Sequence, residues 1–238
     1  MRRSERSKEE IRAEARQSLL RVYERRDELV RQGATIEDVL PNAAELIARV
    51  HEFEIVRLRE LPTQSIEGRV FAESETAGII DRDSRRIFVA TRFPLRTQRF
   101  TLAHEIGHLV LHPLDRYHRD RPLVGGERSN VPKVEREADI FAAELLMPEK
   151  YLRTLFEQRF GGPIDGAHAS DNLAFNLSLG TRRKVSASQL VGMTRFDRAL
   201  LFARCDAWGG RMFQSLVDGF NVSSRAMAWQ LCDHELIL

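Results

Sequence analysis

The chain has 238 residues, 42% of them hydrophobic, which suits one compact domain with appendages. Its net charge of +2 gives no strong electrostatic pull toward nucleic acid, and Cys205 and Cys232, the two cysteines, exclude a disulfide framework and point to a reducing cytosol. No apolar run reaches membrane-spanning length, and the charged start Met1-Arg2-Arg3-Ser4-Glu5-Arg6 lacks the apolar stretch of a secretory signal, so a cytoplasmic protein without membrane contact is expected.

Residues 7 to 32 read as a charged helix. Ser7 and Glu10 supply a capping box, Ile11, Ala15, Leu19 and Val22 an apolar stripe, and Gly33 a stop. The stripe is too short for a coiled coil and suits a solvated helix packed on a core. A second helix is expected over 42 to 51. Strands follow over 55 to 58, 70 to 72, 78 to 80 and 86 to 90, the last two forming a hairpin through Asp81-Arg82-Asp83-Ser84. An edge strand of such a hairpin, beside a reactive centre, can hold an extended peptide by main-chain hydrogen bonds.

Residues 95 to 112 read as the next helix, with Pro94 suited to its first turn and Pro113 ending it. Phe100, Ala103, Gly107 and Val110 recur along it as a buried stripe. It carries His104-Glu105-Ile106-Gly107-His108. At about 100° per residue, His104 and His108 lie about 40° apart and one turn from each other, so both rings can reach one cation. Glu105 falls roughly 60° beyond His108. It is too far round to complete the ligand set easily, but well placed to take a proton from a water on that cation. Thr101-Leu102-Ala103 before the pentapeptide and Leu109-Val110-Leu111 after it bury the helix, where two histidines and a glutamate would be costly without a shared partner. The combination points to a zinc site that hydrolyses amide bonds.

Catalytic zinc takes three protein ligands, so a third must come from elsewhere. The position ten residues after His104 is not a histidine and Gly107 lies inside the pentapeptide, which closes the metzincin route. His112 is two turns from His104, too far along the axis for the same ion, and reads as a capping or supporting histidine. The polar segment 113 to 134 bridges to the next helix. Its Tyr117 or His118 could stabilise an oxyanion, although plain loop residues are the stronger reading.

That next helix is expected over 135 to 147, ended by Met147-Pro148. On a helical wheel Glu135, Ala138, Asp139, Ala142, Leu145 and Leu146 share one face, and Glu137 and Glu144 fall opposite, toward solvent. Glu135 therefore faces the core as the candidate third ligand, which makes a gluzincin-type site. Asp139, one turn on, can accept the outer N–H of a ligand histidine and fix its tautomer. Ala138 and Ala142 are small enough to let two helices approach closely. Beyond a Gly/Pro/Asp/Ser-rich break at 161 to 172, helices are expected over 196 to 204 and 212 to 220, with Arg182-Arg183-Lys184 in a surface turn.

The run Arg99-Phe100-Thr101-Leu102-Ala103-His104-Glu105-Ile106-Gly107-His108, with Leu111-His112 following, resembles a signature of the ImmA/IrrE family of metallopeptidases. So does Glu135-Arg136-Glu137-Ala138-Asp139-Ile140-Phe141-Ala142-Ala143-Glu144-Leu145-Leu146-Met147-Pro148, except that Asp139 stands where asparagine is more frequent in that family. The segment from Phe220 to Met227, followed by Leu231, resembles the helical segment after the peptidase core in relatives. The resemblance covers 40 to 160 well and 213 to 238 more weakly. It implies that His104, His108 and Glu135 bind zinc and that Glu105 is the catalytic base. It further implies a helix-turn-helix repressor of the Xre type as substrate, cut in response to stress or mobile-element signals.

The expected architecture is α+β: a zincin-like minimal core over 42 to 160, with a small, mostly antiparallel sheet, the active-site helix and the second ligand helix. An N-terminal helical extension would span 1 to 41, and a mainly helical region 161 to 238 would end in a helix-turn-helix-like tail. That tail supports a different reading, a catalytically latent module that binds DNA or a regulator. Against it, the three ligands and Glu105 are all present.

Overall fold

The computed structural model describes residues 6–34, 42–61, 76–113, 117–120 and 132–238, with 117–120 as backbone alone. The strand expected at 70 to 72 lies outside the described residues. The fold is α+β, as expected, and the chain's contacts divide it into two compact units, 1–146 and 147–238.

In the first unit, α1 (Lys8–Glu24) begins at the expected capping box, where Ser7 N donates to Glu10 Oε2 at 2.6 Å and Glu10 N to Ser7 Oγ at 3.2 Å. It buries Ile11, Ala15, Ser18 and Val22, while Leu19 stays partly exposed. The Ser18 hydroxyl tolerates burial because it donates to Glu14 O at 2.9 Å. A short α2 (Arg26–Arg31) continues the segment to Gly33, whose φ of 82° lies in the left-handed region. Helix α3 (Ala43–Val50) buries Ala43, Ala44, Leu46, Ile47 and Ala48.

The sheet holds β1 (Glu54–Leu58), β2 (Gly78–Asp81), β3 (Arg86–Ala90) and, after helix α4 (Leu95–Leu111), β4 (Tyr117–Asp120), in the order β1-β3-β2-β4. Among the described strands of this sheet, only β1 and β3 pair in parallel. The β2–β3 hairpin closes where expected. The Asp81 carboxylate accepts from Asp83 N (3.0 Å), Ser84 N (3.2 Å) and Ser84 Oγ (2.7 Å), an Asx turn that substitutes side-chain for ladder bonding. Neither hairpin strand is an edge, contrary to the sequence reading: β1 joins β3 and β4 joins β2, so the described edges are β1 and β4. Gly78, Ile80, Ile87 and Val89 are cross-strand partners on one face, and that face lies against α4.

Pro94 precedes α4, and His112 ends it. The expected stripe holds only at its centre: Ala103 and Gly107 are buried, while Phe100 and Val110 are partly exposed. Thr101 to Leu109 are buried without a break, because the sheet covers one flank and α5 (Lys133–Leu146) the other. At Gly107 a Cβ would come within 3.0 Å of Ala138 Cα and 3.1 Å of Ala138 O, so glycine and alanine together set how closely α4 and α5 approach.

One expectation about α5 fails. Glu137 and Glu144 do not face solvent; their exposures are 7% and 1%. Helix α1 covers that face. Arg6 Nη1 reaches Glu137 Oε2 at 3.3 Å, and Arg16 Nη1 reaches Glu144 Oε1 at 3.3 Å.

The second unit contains α6 (Glu149–Phe160), α7 (Asp171–Thr181), α8 (Ala187–Gly192), α9 (Arg195–Arg204), a two-stranded ribbon of β5 (Ala207–Trp208) and β6 (Arg211–Met212), α10 (Leu216–Phe220) and α11 (Ser224–Asp233). Its centre is aromatic: Phe160 packs edge-on to Phe202, Trp208 and Phe213. The helix expected over 212 to 220 is shorter than that. Gly209 and Gly210, both at positive φ, fold 207 to 212 into the ribbon, and Ser215 caps a helix of five residues. Asn221, in the left-handed region at φ 51°, turns the chain into α11, which buries Met227, Ala228 and Leu231 and packs on α9.

Candidate metal centre

Two helices bring the site together. α4 presents His104 and His108 one turn apart, and α5 presents Glu135 from its first turn. His104 and His108 are buried and Glu135 is partly so. One donor atom of each converges: His108 Nε2 to His104 Nε2 is 2.9 Å, His104 Nε2 to Glu135 Oε2 is 3.1 Å, and His108 Nε2 to Glu135 Oε2 is 3.5 Å. These three are the group of His, Cys, Asp and Glu side chains among the described residues arranged to hold a metal ion.

The outer ring nitrogens decide what the inner ones offer. His104 Nδ1 lies 3.0 Å from Asp139 Oδ1. A carboxylate only accepts there, so the proton sits on Nδ1 and the Nε2 lone pair points into the cluster. His108 Nδ1 lies 3.0 Å from His112 Nδ1, and His112 Nε2 lies 3.1 Å from Glu137 Oε2. With His108 Nδ1 as the donor to His112 Nδ1, the His108 Nε2 lone pair also turns inward. Two lone pairs and a carboxylate oxygen within 3.5 Å of one another repel unless a cation lies among them. The residues present therefore fit a bound metal.

Glu105 is buried and stands outside that triad, toward β2. There Gly78 makes room for it. A Cβ on Gly78 would come within 2.5 Å of Glu105 Oε1 and 2.6 Å of Thr101 Cγ2, so the strand passes the helix at backbone distance. At the other end of α4, Arg82 Nη2 donates to His108 O (2.7 Å), which also accepts from His112 N, and to His112 O (3.0 Å), placing a cation at the negative end of the helix.

The structure thus brings together all five residues singled out in the sequence, with His104, His108 and Glu135 converging, Asp139 on His104, and Glu105 alongside. Tyr117 and His118 enter only as backbone of β4. The sequence reading missed the contact from His112 to Glu137 and the cap by Arg82. The i, i+4 spacing of His108 and His112 was a signal for the first, since it stacks one ring a turn beyond the other. Nothing local marked the second.

The chain matches the model of the M78 peptidase family described as IrrE N-terminal-like domain, over residues 54–188. The chain belongs to this family. The match confirms the ImmA/IrrE resemblance, and with it a metallopeptidase whose His-His-Glu group can take a metal. Both α4 and α5, and so every residue of the IrrE-type site, fall inside the matched span. A search of curated proteins returned no match. No helix among the described residues of this M78 peptidase is long and apolar enough to cross a membrane.

Proposed function

We propose that the protein is a cytoplasmic zinc endopeptidase acting on a regulatory protein, an Xre-type helix-turn-helix repressor. The observation that carries the chemistry is the triangle of donor atoms, with edges of 2.9, 3.1 and 3.5 Å. Nitrogen and oxygen ligands at zinc bond lengths of about 2.0–2.1 Å, arranged tetrahedrally, stand about 3.3–3.4 Å apart, so the triangle has the size of one face of a zinc tetrahedron. Two imidazoles and one carboxylate are also the ligand set of gluzincin-type catalytic zinc, which keeps its fourth position for water or substrate.

When bound, zinc polarises the scissile carbonyl and lowers the pKa of the attacking water. The chain supplies the rest. Glu105 accepts the water's proton and delivers it to the leaving amine. Gly78 gives Glu105 its place, and Asp139 holds His104 in the ligand tautomer. Burial of the site keeps these groups in low dielectric, where each charge acts more strongly. The substrate class rests on the family resemblance, with the small charge and pair of cysteines consistent with a cytosolic setting.

Glu105→Gln is expected to retain stoichiometric zinc, measured by metal analysis, and to lose cleavage. Full activity in that variant overturns the mechanism. The same variant, used as a trap on cell lysate and read by mass spectrometry, is expected to retain an Xre-like regulator that zinc-loaded wild type cuts. Salt-dependent DNA binding by the isolated protein, without cleavage, would instead favour the binding-module reading built on α10 and α11.

A further inference from the structure

We propose that His112 and Glu137 are positioning residues for the metal ligand His108, acting as a relay that fixes its tautomer. The two ligand histidines are held by unequal devices. His104 meets its carboxylate directly, at 3.0 Å from Asp139. His108 cannot. Its Nδ1 points along α4 toward the next turn, where it meets another imidazole, His112, at 3.0 Å. The carboxylate arrives one step later, where Glu137 Oε2 lies 3.1 Å from His112 Nε2.

The polarity of this chain follows from its far end. Glu137 is buried and faces cations, with Arg6 Nη1 at 3.3 Å and Lys133 Nζ at 3.6 Å. It acts as an acceptor, so His112 Nε2 donates to it. In neutral imidazole one nitrogen donates and the other accepts, so His112 Nδ1 is left accepting. His108 Nδ1 then has to donate, and the His108 Nε2 lone pair is turned toward His104 and Glu135. Arg82, donating to the carbonyls of both His108 and His112, holds the last turn of the helix that carries the relay. The His112 side chain is 1% exposed and that of Glu137 9%, so water does not compete easily for these bonds.

The family's known zinc-ligand set leaves His112 and Glu137 without a role, and the sequence pattern placed Glu137 in solvent. The inference rests on the zinc reading above, and the test separates the two. His112→Phe keeps a ring of similar size but removes the acceptor. His112→Gln restores an acceptor through its amide oxygen, and Glu137→Leu removes the carboxylate that polarises the chain. Each is made in the full chain and read in three ways: zinc dissociation constant by chelator competition, apo thermal unfolding, and the His108 tautomer from long-range nitrogen-15 spectra of the apo protein.

Wild-type apo protein is expected to hold His108 as the Nδ1–H tautomer. His112→Phe and Glu137→Leu should release it from that single tautomer and weaken zinc by about 10–100-fold, the usual loss when a ligand's outer partner is removed. His112→Gln should recover most of both. Unchanged tautomer and zinc affinity in His112→Phe overturns the relay. If His112→Phe fails to fold, the same two readouts on Glu137→Leu decide. A wild type that takes up no zinc overturns the proposed function, while the apo tautomer still decides the relay.

Discussion

Helix α5 carries four buried or partly buried acids on two faces, and the faces work differently. Glu135 and Asp139 look toward α4 and meet imidazole nitrogens, at 3.1 and 3.0 Å. Glu137 and Glu144 look toward α1 and meet guanidinium groups, Arg6 and Arg16, both at 3.3 Å. A carboxylate beside a permanent cation already has its countercharge, so Glu144 acts within the fold. A carboxylate oxygen grouped with two imidazole nitrogens forms instead a donor set that a metal ion completes. Glu137 stands between the two cases, with Arg6 and Lys133 on one side and His112 on the other. The partner's chemistry, more than burial of the acid, separates a site from a scaffold.

The sharpest break of this contrast is to exchange the effects. Glu135→Ala is expected to abolish stoichiometric zinc uptake, by metal analysis, and leave the apo unfolding temperature unchanged or higher, since it relieves the crowding of electron-rich atoms. Zinc retained at full stoichiometry in that variant would remove Glu135 from the ligand set. On the other face the larger effect is on stability, and it is asymmetric. Arg16→Leu leaves Glu144, 1% exposed, without that cation, and a buried group so deprived costs about 1–3 kcal/mol. Glu144→Leu leaves Arg16, whose side chain is 36% exposed and also reaches Glu9, free to turn to water. The loss should then be smaller, because an apolar replacement of a buried ion is often near neutral. Urea unfolding of the two apo variants checks the order, and neither should move zinc affinity. Equal losses would mean that the pair contributes only packing.

How far this was readable in the sequence depends on the range of each contact. His104, Glu105 and His108 are fixed relative to one another by helical geometry alone, so their common metal and the separate place of Glu105 were legible. The wheel of α5 also chose Glu135 over Glu137 for the α4 side, because that face carries Ala138 and Ala142, which permit close approach. What covers the opposite face was not legible. Arg16 and Glu144 are 128 residues apart, and no periodicity within α5 announces α1. The sheet divides in the same way. Turn chemistry at Asp81 to Ser84 marked the β2–β3 hairpin, but the parallel pairing of β1 with β3 depends on a crossover that no short motif encodes. In the second unit the apolar run at 212 to 220 suggested one helix, and the positive φ values at Gly209 and Gly210 show why the chain instead makes a ribbon first.

The smallest expected effect concerns a histidine whose neighbours have the opposite sign from those in the site. His51 ends α3, and its ordinary pKa of 6.5 is lowered by burial first and then by the charges of Arg21 and Arg25. No carboxylate offsets them in that shift, in contrast to His104 and His112, which contact acids. The folded protein therefore binds the His51 proton less readily than the unfolded chain does. Its neutral form contributes fully above about pH 6.5, and stability is lost as pH falls from there through the lowered folded pKa. Because the ring is only half-buried, solvent screening keeps the change small. His51→Gln should flatten the fall in apo unfolding free energy below pH 6.5 relative to wild type, with the two profiles parallel above it. Profiles that stay parallel through the acid range would show that neither burial nor the charges of Arg21 and Arg25 hold His51 neutral. The contrast would then rest on the acid-facing histidines alone.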